Sequence, residues 1–375
     1  MNIISYIHPI RTYLPCTGAG RFMNNSLLGL ANQSQVKLEL LFASQWLQAD
    51  GHLPANCPLR LLTKQNFPMP ENATERTWKL FSYPRMDDYI PSGTDWLFAP
   101  METYIPVTKC PVAITIFDIQ AFEPDLPWSH TWQHRLFRLK WGQWVRRALR
   151  DYRIIFTISQ FSKQRMVDLL GADPRKVVVV GVGVEPAYFE MATIDPTRLR
   201  RTVETPYTLI IGGLRQKKGA DYILAAAEAL QKRKSSLQIV VAGDSEANYV
   251  EAAKTYPNIT LLGLVEDEDL PRILRGATSL LFLSHYEGFG IPAVEAMAAG
   301  IPAVVSNRAS LPEIVGDAGI IVEPDNAAEV ADILINLERD TDLRSTYTQR
   351  GLAHAQQYTW PRIVTRLTTA LEQYA

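Results

Sequence analysis

The sequence predicts an α/β protein with two doubly wound domains, each built on a parallel sheet flanked by helices. First, 375 residues are too many for one hydrophobic core of ordinary size and suit two domains. Second, short β-branched runs alternate with helical patterns from end to end, as in parallel sheets with crossover helices. Third, the stretch 186–206 loses its apolar periodicity and carries turn and charged residues, which indicates an interdomain linker.

Apolar runs bounded by turn residues give the candidate strands. In the first domain, expected over 1–190, they are 2–7, 36–42, 95–98, 112–117, 154–158 and 176–180, while the proline-rich segment 53–70 is predicted as irregular surface loop. In the second domain, expected over 205–357, they are 208–211, 237–241, 259–262, 279–283, 303–305 and 319–322. Helices are predicted at 220–232, 266–275, 327–338, 342–357 and 360–374. In such sheets, ligands bind beyond the carboxyl ends of the strands.

Composition restricts the class of protein and of partner. Hydrophobic residues make up 47% and charged residues 21%, a soluble globular balance, and the net charge of -1 favours neither nucleic acid nor an acidic partner. No apolar stretch approaches the ~20 residues of a membrane span, and 1–8 lacks the basic start of a signal peptide. The odd, scattered cysteines form neither a disulfide framework nor a zinc pattern, so we expect a cytoplasmic protein: Cys16, Cys57 and Cys110.

The most informative segment is 281–300, LFLSHYEGFGIPAVEAMAAG. An apolar strand is predicted to end near Ser284, and Gly288 and Gly290 form a tight turn. Pro292 stands where a helix should begin, because proline is favoured at the first helical position. A helix start of this kind presents backbone N–H groups and the positive end of the helix dipole, so the segment predicts an anion site.

Two glutamates accompany this turn. Glu287 precedes it and can accept hydrogen bonds from sugar hydroxyls, while Glu295, about one turn into the helix, can reach the two hydroxyls of a ribose. The alternative is a solvated helix charge and an ordinary turn residue. The strand–glycine–proline–helix frame makes that alternative the weaker interpretation.

A second glycine turn, 212–219 (GGLRQKKG), follows a predicted strand. Its clustered cations, Arg215, Lys217 and Lys218, suit a diphosphate whose leaving charge must be neutralised. It is not a Walker loop, because no Gly-Lys-Ser/Thr follows the glycines. For Lys217 a solvated loop position is the favoured interpretation.

A third turn, 16–21 (CTGAGR), follows the first strand and opens a helix. It is half of a dinucleotide fingerprint, but the third glycine position holds Met23, and Glu39 lies mid-strand, where it cannot hold a ribose. Nicotinamide binding is therefore disfavoured. A glycine-lined helix start that approaches a substrate phosphate or sugar fits better.

The segment 128–153 combines cations with tryptophans. A basic helix carrying tryptophan suits the interface of an anionic membrane, whereas tryptophans packed in the core beneath solvated arginines are the alternative, and both remain open. The histidine pair His130 and His134 has helical spacing but lacks a third ligand, so zinc is discounted. The segment holds these tryptophans and cations: Trp128, Trp132, Trp141, Trp144, Arg135, Arg138, Lys140, Arg146, Arg147, Arg150 and Arg153.

On these motifs the chain resembles the retaining glycosyltransferases of family 4, which have the GT-B fold of two Rossmann-like domains facing across a cleft. The C-terminal half carries the resemblance through 212–219, 243–244, 261–265 and 284–306, the last of which is similar to the family's Glu-x7-Glu segment. The N-terminal half is similar, less specifically, through 18–21 and 156–163.

The resemblance implies a role for each matching position. Lys218 and Arg215 would neutralise the donor diphosphate, and Glu287 with the backbone of 288–291 would hold the transferred sugar. Glu295 would bind the ribose, 263–265 would lie beside the base, and the last helix, 358–375, would cross back onto the first domain. No metal or other cofactor is implied. The donor-binding residues expected in this way are Gly20, Gly213, Arg215, Lys218, Leu264, Val265, Glu287, Gly288, Phe289, Gly290, Ile291 and Glu295.

Two positions depart from the family pattern. The histidine that often contacts the donor sugar is replaced by Phe117, which cannot donate a hydrogen bond, so either Asp118 or another group acts in its place or the contact is missing. The usual asparagine in the loop 180–183 is Val182. Both departures concern the positioning of the sugar and leave the expected fold unchanged.

The resulting expectation is a retaining, metal-independent hexosyltransferase. The favoured donor is UDP-glucose, with GDP-mannose as the alternative, and the acceptor is a polysaccharide or a lipid-linked saccharide. Peripheral membrane contact through 128–153 would bring the enzyme to the inner face of the plasma membrane. A nucleotide-sugar epimerase is disfavoured, because acid/base groups near Glu287 are lacking, whereas a nucleotide-sugar-binding protein without transfer activity stays open.

Overall fold

The computed structural model describes residues 1–13, 18–199, 203 and 205–375. Cys16 and the start of the turn 16–21 lie outside the described residues, as do 200–202 and 204 of the predicted linker. The chain divides into two compact units, one formed by 1–183 with 360–375 and the other by 184–359. The division falls at Gly183, whereas the sequence-based boundary lay at 190.

The first unit is built on a seven-stranded sheet in the order β3-β2-β1-β4-β5-β6-β7. All of its neighbouring strands pair in parallel, for example Ile3 with Leu38 and Ile4 with Leu97. The strands are β1 Asn2–Tyr6, β2 Lys37–Ala43, β3 Lys64–Phe67, β4 Trp96–Ala99, β5 Val112–Thr115, β6 Ile154–Thr157 and β7 Val177–Val179. The helices are α1 Ile10–Tyr13, α2 Gly18–Ala31, α3 Glu71–Phe81, α4 Trp132–Asp151 and α5 Gln160–Leu170.

The prediction of irregular loop over 53–70 is wrong at Lys64–Phe67, which forms strand β3. This strand lies at the edge of the sheet, where it pairs with β2. Lys64, Gln65 and Asn66 stay at least partly exposed and only Phe67 is buried. An edge strand with one buried side chain lacks the apolar run that reveals central strands of a parallel sheet.

The second unit is built on a six-stranded parallel sheet in the order β10-β9-β8-β11-β12-β13. Its core is formed by apolar residues of the strands together with the helices that cover them. The strands are β8 Tyr207–Ile211, β9 Gln238–Ala242, β10 Ile259–Gly263, β11 Ser279–Phe282, β12 Ala303–Ser306 and β13 Ile320–Val322. The helices are α6 Pro186–Ala192, α7 Ala220–Lys232, α8 Ala247–Ala253, α9 Leu270–Arg275, α10 Ile291–Ala298, α11 Leu311–Val315, α12 Ala327–Arg339 and α13 Thr341–Ala355.

Two details of the second unit differ from the prediction. The linker segment 186–206 contains α6, which begins with Pro186 in its first turn, and a short 3₁₀ turn at Pro196–Arg198. The helix predicted at 266–275 begins only at Leu270, after turns that include the acidic residues preceding it. Turn-forming and charged residues hid the short helix α6 in the sequence pattern. Charged residues also made the helix predicted at 266–275 longer than α9.

The last helix, α14 Trp360–Gln373, belongs to the first unit. A Cβ added at Gly183 would lie 2.3 Å from the Trp360 ring, and one at Gly29 would lie 2.3 Å from Val364. The indole nitrogen of Trp96 on β4 donates to the Leu371 carbonyl at 3.1 Å. Close backbone approach and a buried hydrogen bond therefore fix α14 against α2 and the sheet.

Candidate donor-binding site

The segment from β11 to α10 forms a strand, a glycine turn and a helix. Gly290 precedes the helix with φ +98°, and a Cβ there would lie 2.4 Å from Leu311, so glycine is required on both grounds. Pro292 lies in the first turn of α10, where its missing N–H costs nothing. The turn residues Gly288 and Phe289 are buried, and Ile291 is partly buried.

Glu287 and Lys218 form an ion pair in this turn. The Lys218 Nζ lies 2.7 Å from Glu287 Oε1, and the Ser284 hydroxyl donates to the same oxygen at 2.8 Å. The two charged side chains are 24% and 15% exposed, so solvent only partly screens their attraction. Lys218 also lies over the Phe282 ring, 5.2 Å from its centre. The sequence assigned these two residues separate duties, and the structure brings them together.

Serine hydroxyls not singled out from the sequence support the backbone of the turn. Ser310 Oγ lies 2.9 Å from the Glu287 carbonyl and 3.1 Å from that of Phe289. Ser306 donates to the Ser284 carbonyl at 2.8 Å. Both come from the chain that follows β11, so strand order rather than local sequence places them. Together they fix the main chain that carries the Glu287 side chain.

The loop 212–219 makes close backbone contacts that only glycine permits. Gly213 has φ +75°, and a Cβ there would lie 1.9 Å from the Asp244 carbonyl oxygen. Gly219, also at φ +75°, approaches the Leu283 carbonyl in the same way, at 2.1 Å. The Gly213 N–H donates to the Ala242 carbonyl at 3.0 Å, so its role in the structure is to let two loops meet.

Arg215 points at the neighbouring loop rather than at Glu287. Its Nη2 lies 2.5 Å from Asp244 Oδ2, and its Nε donates to the Asp244 carbonyl at 2.9 Å. The side chains are 44% and 66% exposed. A diphosphate contact by Arg215 stays a prediction, and it would require the guanidinium to share its charge with Asp244.

His285 ties the two loops together. Its backbone N–H donates to the Lys217 carbonyl at 3.1 Å, and its ring lies 4.8 Å from that of Tyr222. Burial lowers the pKa of His285, since the charged imidazolium is disfavoured away from water. A neutral imidazole therefore stands beside the Lys218 loop.

The predicted ribose and base contacts lie in different environments. Glu295 is only 3% exposed and lies in α10, where every residue from 293 to 298 is buried. Leu264 follows β10 and is 83% exposed, with Gly263 before it at φ +69° and Val265 after it partly exposed. An exposed leucine at a strand end is available to contact a base. Both assignments stay predictions.

In the first unit, Gly20 is buried in the first turn of α2. Phe117, which replaces the family's histidine, packs edge-on against Phe22 with ring centres 5.4 Å apart. Asp118 accepts from the Gln120 N–H at 2.9 Å. A carboxyl group that the sequence did not single out, Glu102, accepts from the Phe117 N–H at 3.2 Å.

Glu102 has an unusual environment. The residue as a whole is partly exposed, but its carboxyl group is enclosed, and burial followed by the nearby Asp118 charge raises its pKa to about 8. It follows β4, and Asp118 follows the neighbouring strand β5. Knowledge of that strand order would have been needed to find this carboxyl pair from the sequence.

The chain is similar to known glycosyltransferases. Residues 193–354 match the family described as glycosyl transferases group 1. This segment lies within the second unit, which is therefore the part of the chain that is similar to this family. Over 99% of its length and 99% of the relative's, the chain is 26% identical to the O-antigen chain mannosyltransferase B of Escherichia coli. It is 31% identical to a D-inositol 3-phosphate glycosyltransferase of Salinispora arenicola, with 54% of this chain and 50% of that one covered.

Solved structures show that the chain has the predicted GT-B fold. A glycosyltransferase from Rickettsia africae aligns with a TM-score of 0.69 at 14% identity, covering 100% of this chain and 98% of that one. Anabaena HepE in complex with UDP and glucose aligns with a TM-score of 0.68 at 15% identity, with 100% of both chains covered. At these identities the likeness establishes the fold alone.

Helix α4 contains both buried and exposed apolar side chains. Trp144 is 4% exposed and lies in the core, which agrees with one interpretation. At the other end of the helix, four large apolar side chains face solvent, as the other interpretation requires. They are Trp132 (68% exposed), Leu136 (46%), Phe137 (54%) and Leu139 (67%).

The structure also bears on whether a metal ion or a membrane is a partner. Among the residues described, no group of three or more His, Cys, Asp or Glu side chains is placed to hold a metal ion. Of the histidine pair with helical spacing, His134 contacts the Ala121 carbonyl at 3.0 Å. Within the described part of the chain, every helix is too short or too polar to cross a membrane.

Proposed function

We propose that this glycosyltransferase transfers a hexose from a nucleoside diphosphate sugar to a hydroxyl of a saccharide, with retention of anomeric configuration and without a metal ion. The observation that carries the proposal is the Lys218–Glu287 pair, 2.7 Å apart beside a glycine turn that opens a helix. A cation and a helix start favour the diphosphate, and the carboxylate beside them can accept hydrogen bonds from the sugar.

The reaction needs stabilisation of a leaving diphosphate. The bond between the sugar C1 and the diphosphate oxygen breaks, and its electron pair goes to that oxygen. The acceptor hydroxyl bonds to C1 from the same face, and its proton passes to the departing phosphate. Lys218 stabilises the charge that develops, and Glu287 orients Lys218 and holds the sugar. An approach from the same face gives retention without an enzymic nucleophile.

We propose mannose, ahead of glucose, as the sugar of the donor. The relative that aligns over 99% of both chains is named a mannosyltransferase. This favours GDP-mannose, the alternative donor on sequence grounds, over UDP-glucose. The GT-B structure of HepE holds UDP and glucose, which keeps UDP-glucose as the second candidate.

For the acceptor, we propose a polysaccharide or lipid-linked saccharide at the inner face of a membrane. The exposed apolar end of α4 and its cations give a surface that anionic lipid can bind. A second apolar group, Leu80, Phe81 and Tyr83, is 57–74% exposed at the end of α3. A cavity of about 740 Å³ beside Ser82 is lined by further cations: Arg85, Lys109, Arg153 and Lys176.

The test combines binding and turnover. Melting temperature is measured with UDP-glucose, GDP-mannose and ADP-glucose, because a ligand bound only by the folded protein raises it. Release of nucleoside diphosphate is then followed with and without a neutral glycoside acceptor, and NMR of the product gives its anomeric configuration. A shift in melting temperature without any nucleotide release would show a binding protein instead of a transferase. Inversion would refute the same-face mechanism.

A further inference from the structure

A histidine–carboxylate pair lies at the carboxyl end of β1 in the first unit, apart from the residues discussed so far. His8 Nε2 lies 3.0 Å from Glu71 Oε2. The Trp46 indole N–H donates to the same carboxylate oxygen at 2.8 Å. The Glu71 side chain is fully buried, and that of His8 is 14% exposed. The buried carboxylate is therefore held from two sides and in turn fixes the imidazole ring.

The other nitrogen of the ring has no hydrogen-bond partner. His8 Nδ1 is buried and unpartnered, as is Glu71 Oε1. Because Nε2 faces the carboxylate, a ring that carries a single proton places it on Nε2, and Nδ1 is then an acceptor. Buried acceptors nearly always accept a hydrogen bond, since an acceptor buried without a donor costs free energy. A donor such as a hydroxyl group fits this position.

The location of the pair is where this fold binds ligands. β1 lies next to β4, and β4 next to β5, so His8, Glu102 and Asp118 all follow strands at one edge of the sheet. The Tyr6 hydroxyl of β1 donates to Glu75 of α3 at 3.0 Å, so the helix that begins with Glu71 contacts the strand that precedes His8. The edge therefore carries an imidazole acceptor and several carboxyl groups.

This chemistry suits a neutral, hydroxyl-rich ligand. Carboxylates and an imidazole nitrogen without a proton accept hydrogen bonds from hydroxyls, and the Glu71 and Asp118 carboxylates would repel a phosphate. The cations that act on Glu102 are Arg11 and Lys79, and Lys79 is already paired with Glu75 at 3.1 Å. The raised pKa of Glu102 reflects burial beside the Asp118 charge, in keeping with an edge that disfavours further negative charge.

We propose that His8 Nδ1, oriented by Glu71, accepts a hydrogen bond from a hydroxyl of the saccharide acceptor, and that this subsite takes neutral sugars rather than phosphorylated ones. His8 is then a specificity-determining residue that touches the acceptor, and Glu71 is a positioning residue. The proposal rests on the transferase function proposed above. It names one atom that would bind the acceptor, whereas the donor-site residues do not indicate how the acceptor is bound.

Two substitutions of His8 separate the two ring nitrogens. The side-chain amide of glutamine lies near the position of the histidine Nε2. His8→Gln therefore keeps the hydrogen bond donated to Glu71 and loses the acceptor at Nδ1. Asparagine places an amide near Nδ1, so His8→Asn keeps an acceptor there and loses the contact with Glu71. A purely structural His8–Glu71 bond predicts that glutamine is the milder change. Acceptor binding at Nδ1 predicts that asparagine is the milder change for the acceptor KM.

We expect His8→Gln to raise the KM for octyl α-mannoside about tenfold, as the loss of one hydrogen bond from the binding site should. His8→Asn should raise it less than about threefold on the same basis. Saturation-transfer NMR of octyl α-mannoside, octyl α-glucoside and the 6-phosphate of the mannoside measures acceptor binding independently of turnover. The neutral glycosides should bind the unmodified protein, and the phosphorylated one should bind at least about tenfold more weakly.

Several outcomes would overturn the proposal: the reverse ranking of the two variants, equal loss in both, preferred binding of the phosphorylated glycoside, or no binding of any neutral glycoside. Donor hydrolysis by the unmodified protein and the melting-temperature increase given by GDP-mannose or UDP-glucose test the transferase function separately. If the unmodified protein shows neither, the transferase function itself fails. If both persist while the variants rank in the wrong order, only the acceptor subsite fails.

Discussion

Replacing Lys218 with methionine removes one charge from the donor site and keeps most of the side-chain volume over the Phe282 ring. The Nζ that is lost lies 2.7 Å from Glu287 Oε1 and its side chain is 24% exposed. A charged hydrogen-bond donor that contacts a leaving oxyanion stabilises the transition state by about 2.7–4 kcal/mol. The partial exposure of Lys218 favours the lower value. We therefore expect kcat to fall about 100-fold, which corresponds to about 2.7 kcal/mol.

The assay is initial-rate release of nucleoside diphosphate at saturating donor and acceptor. Lys217→Met is the matched control, because it removes a charge from the same 3₁₀ turn, Gln216–Lys218, and should cost less than about threefold. Lys218→Arg tests whether charge alone suffices. A kcat within about threefold of the unmodified enzyme for Lys218→Met, or an equal loss in both methionine variants, would refute the reasoning.

Four further predictions concern the fold, the site and the surface. Glu287→Gln should lower kcat about 100-fold by weakening the hold on Lys218 and the sugar, measured in the same assay. Gly213→Ala should lower the free energy of unfolding by more than about 2 kcal/mol in urea titration, because its Cβ would meet the Asp244 carbonyl at 1.9 Å. The raised pKa of Glu102 means that the folded protein holds this proton more tightly than the unfolded chain. Stability should therefore fall as the pH rises from about 4.5 to about 8, and melting curves of Glu102→Gln should lack this component. Replacing Leu136 and Phe137 with serine should reduce flotation with vesicles containing phosphatidylglycerol, and unchanged flotation would argue against the α4 surface.

The central strands were predictable because parallel strands covered on both faces are continuous apolar runs, as in Ile154–Thr157 and Ala303–Ser306. The edge strand Lys64–Phe67 was not, since its exposed face selects polar residues. The glycine turns at 212–219 and 288–290 were predictable as well, because a positive φ and close backbone contact demand glycine locally.

Contacts between distant segments were the part that the sequence did not reveal. Lys218 follows β8 and Glu287 follows β11, and they meet because those strands are neighbours in the sheet. His8 and Glu71 also come from distant segments, since His8 follows β1 and Glu71 begins α3. Local patterns specify which residues stand at strand ends. Strand order decides which of those residues touch.

The return of α14 to the first unit has a consequence for how the protein is made. The second unit, 184–359, is inserted within the chain of the first, and Val184 lies beside Tyr358, with a backbone N–H to carbonyl distance of 2.8 Å where the chain enters and leaves. During synthesis the first unit cannot be completed until the second has been made, because α14, whose Leu371 carbonyl accepts from Trp96, is the last segment of the chain. The inserted unit is free to fold earlier, so the domain that begins first is the one completed last.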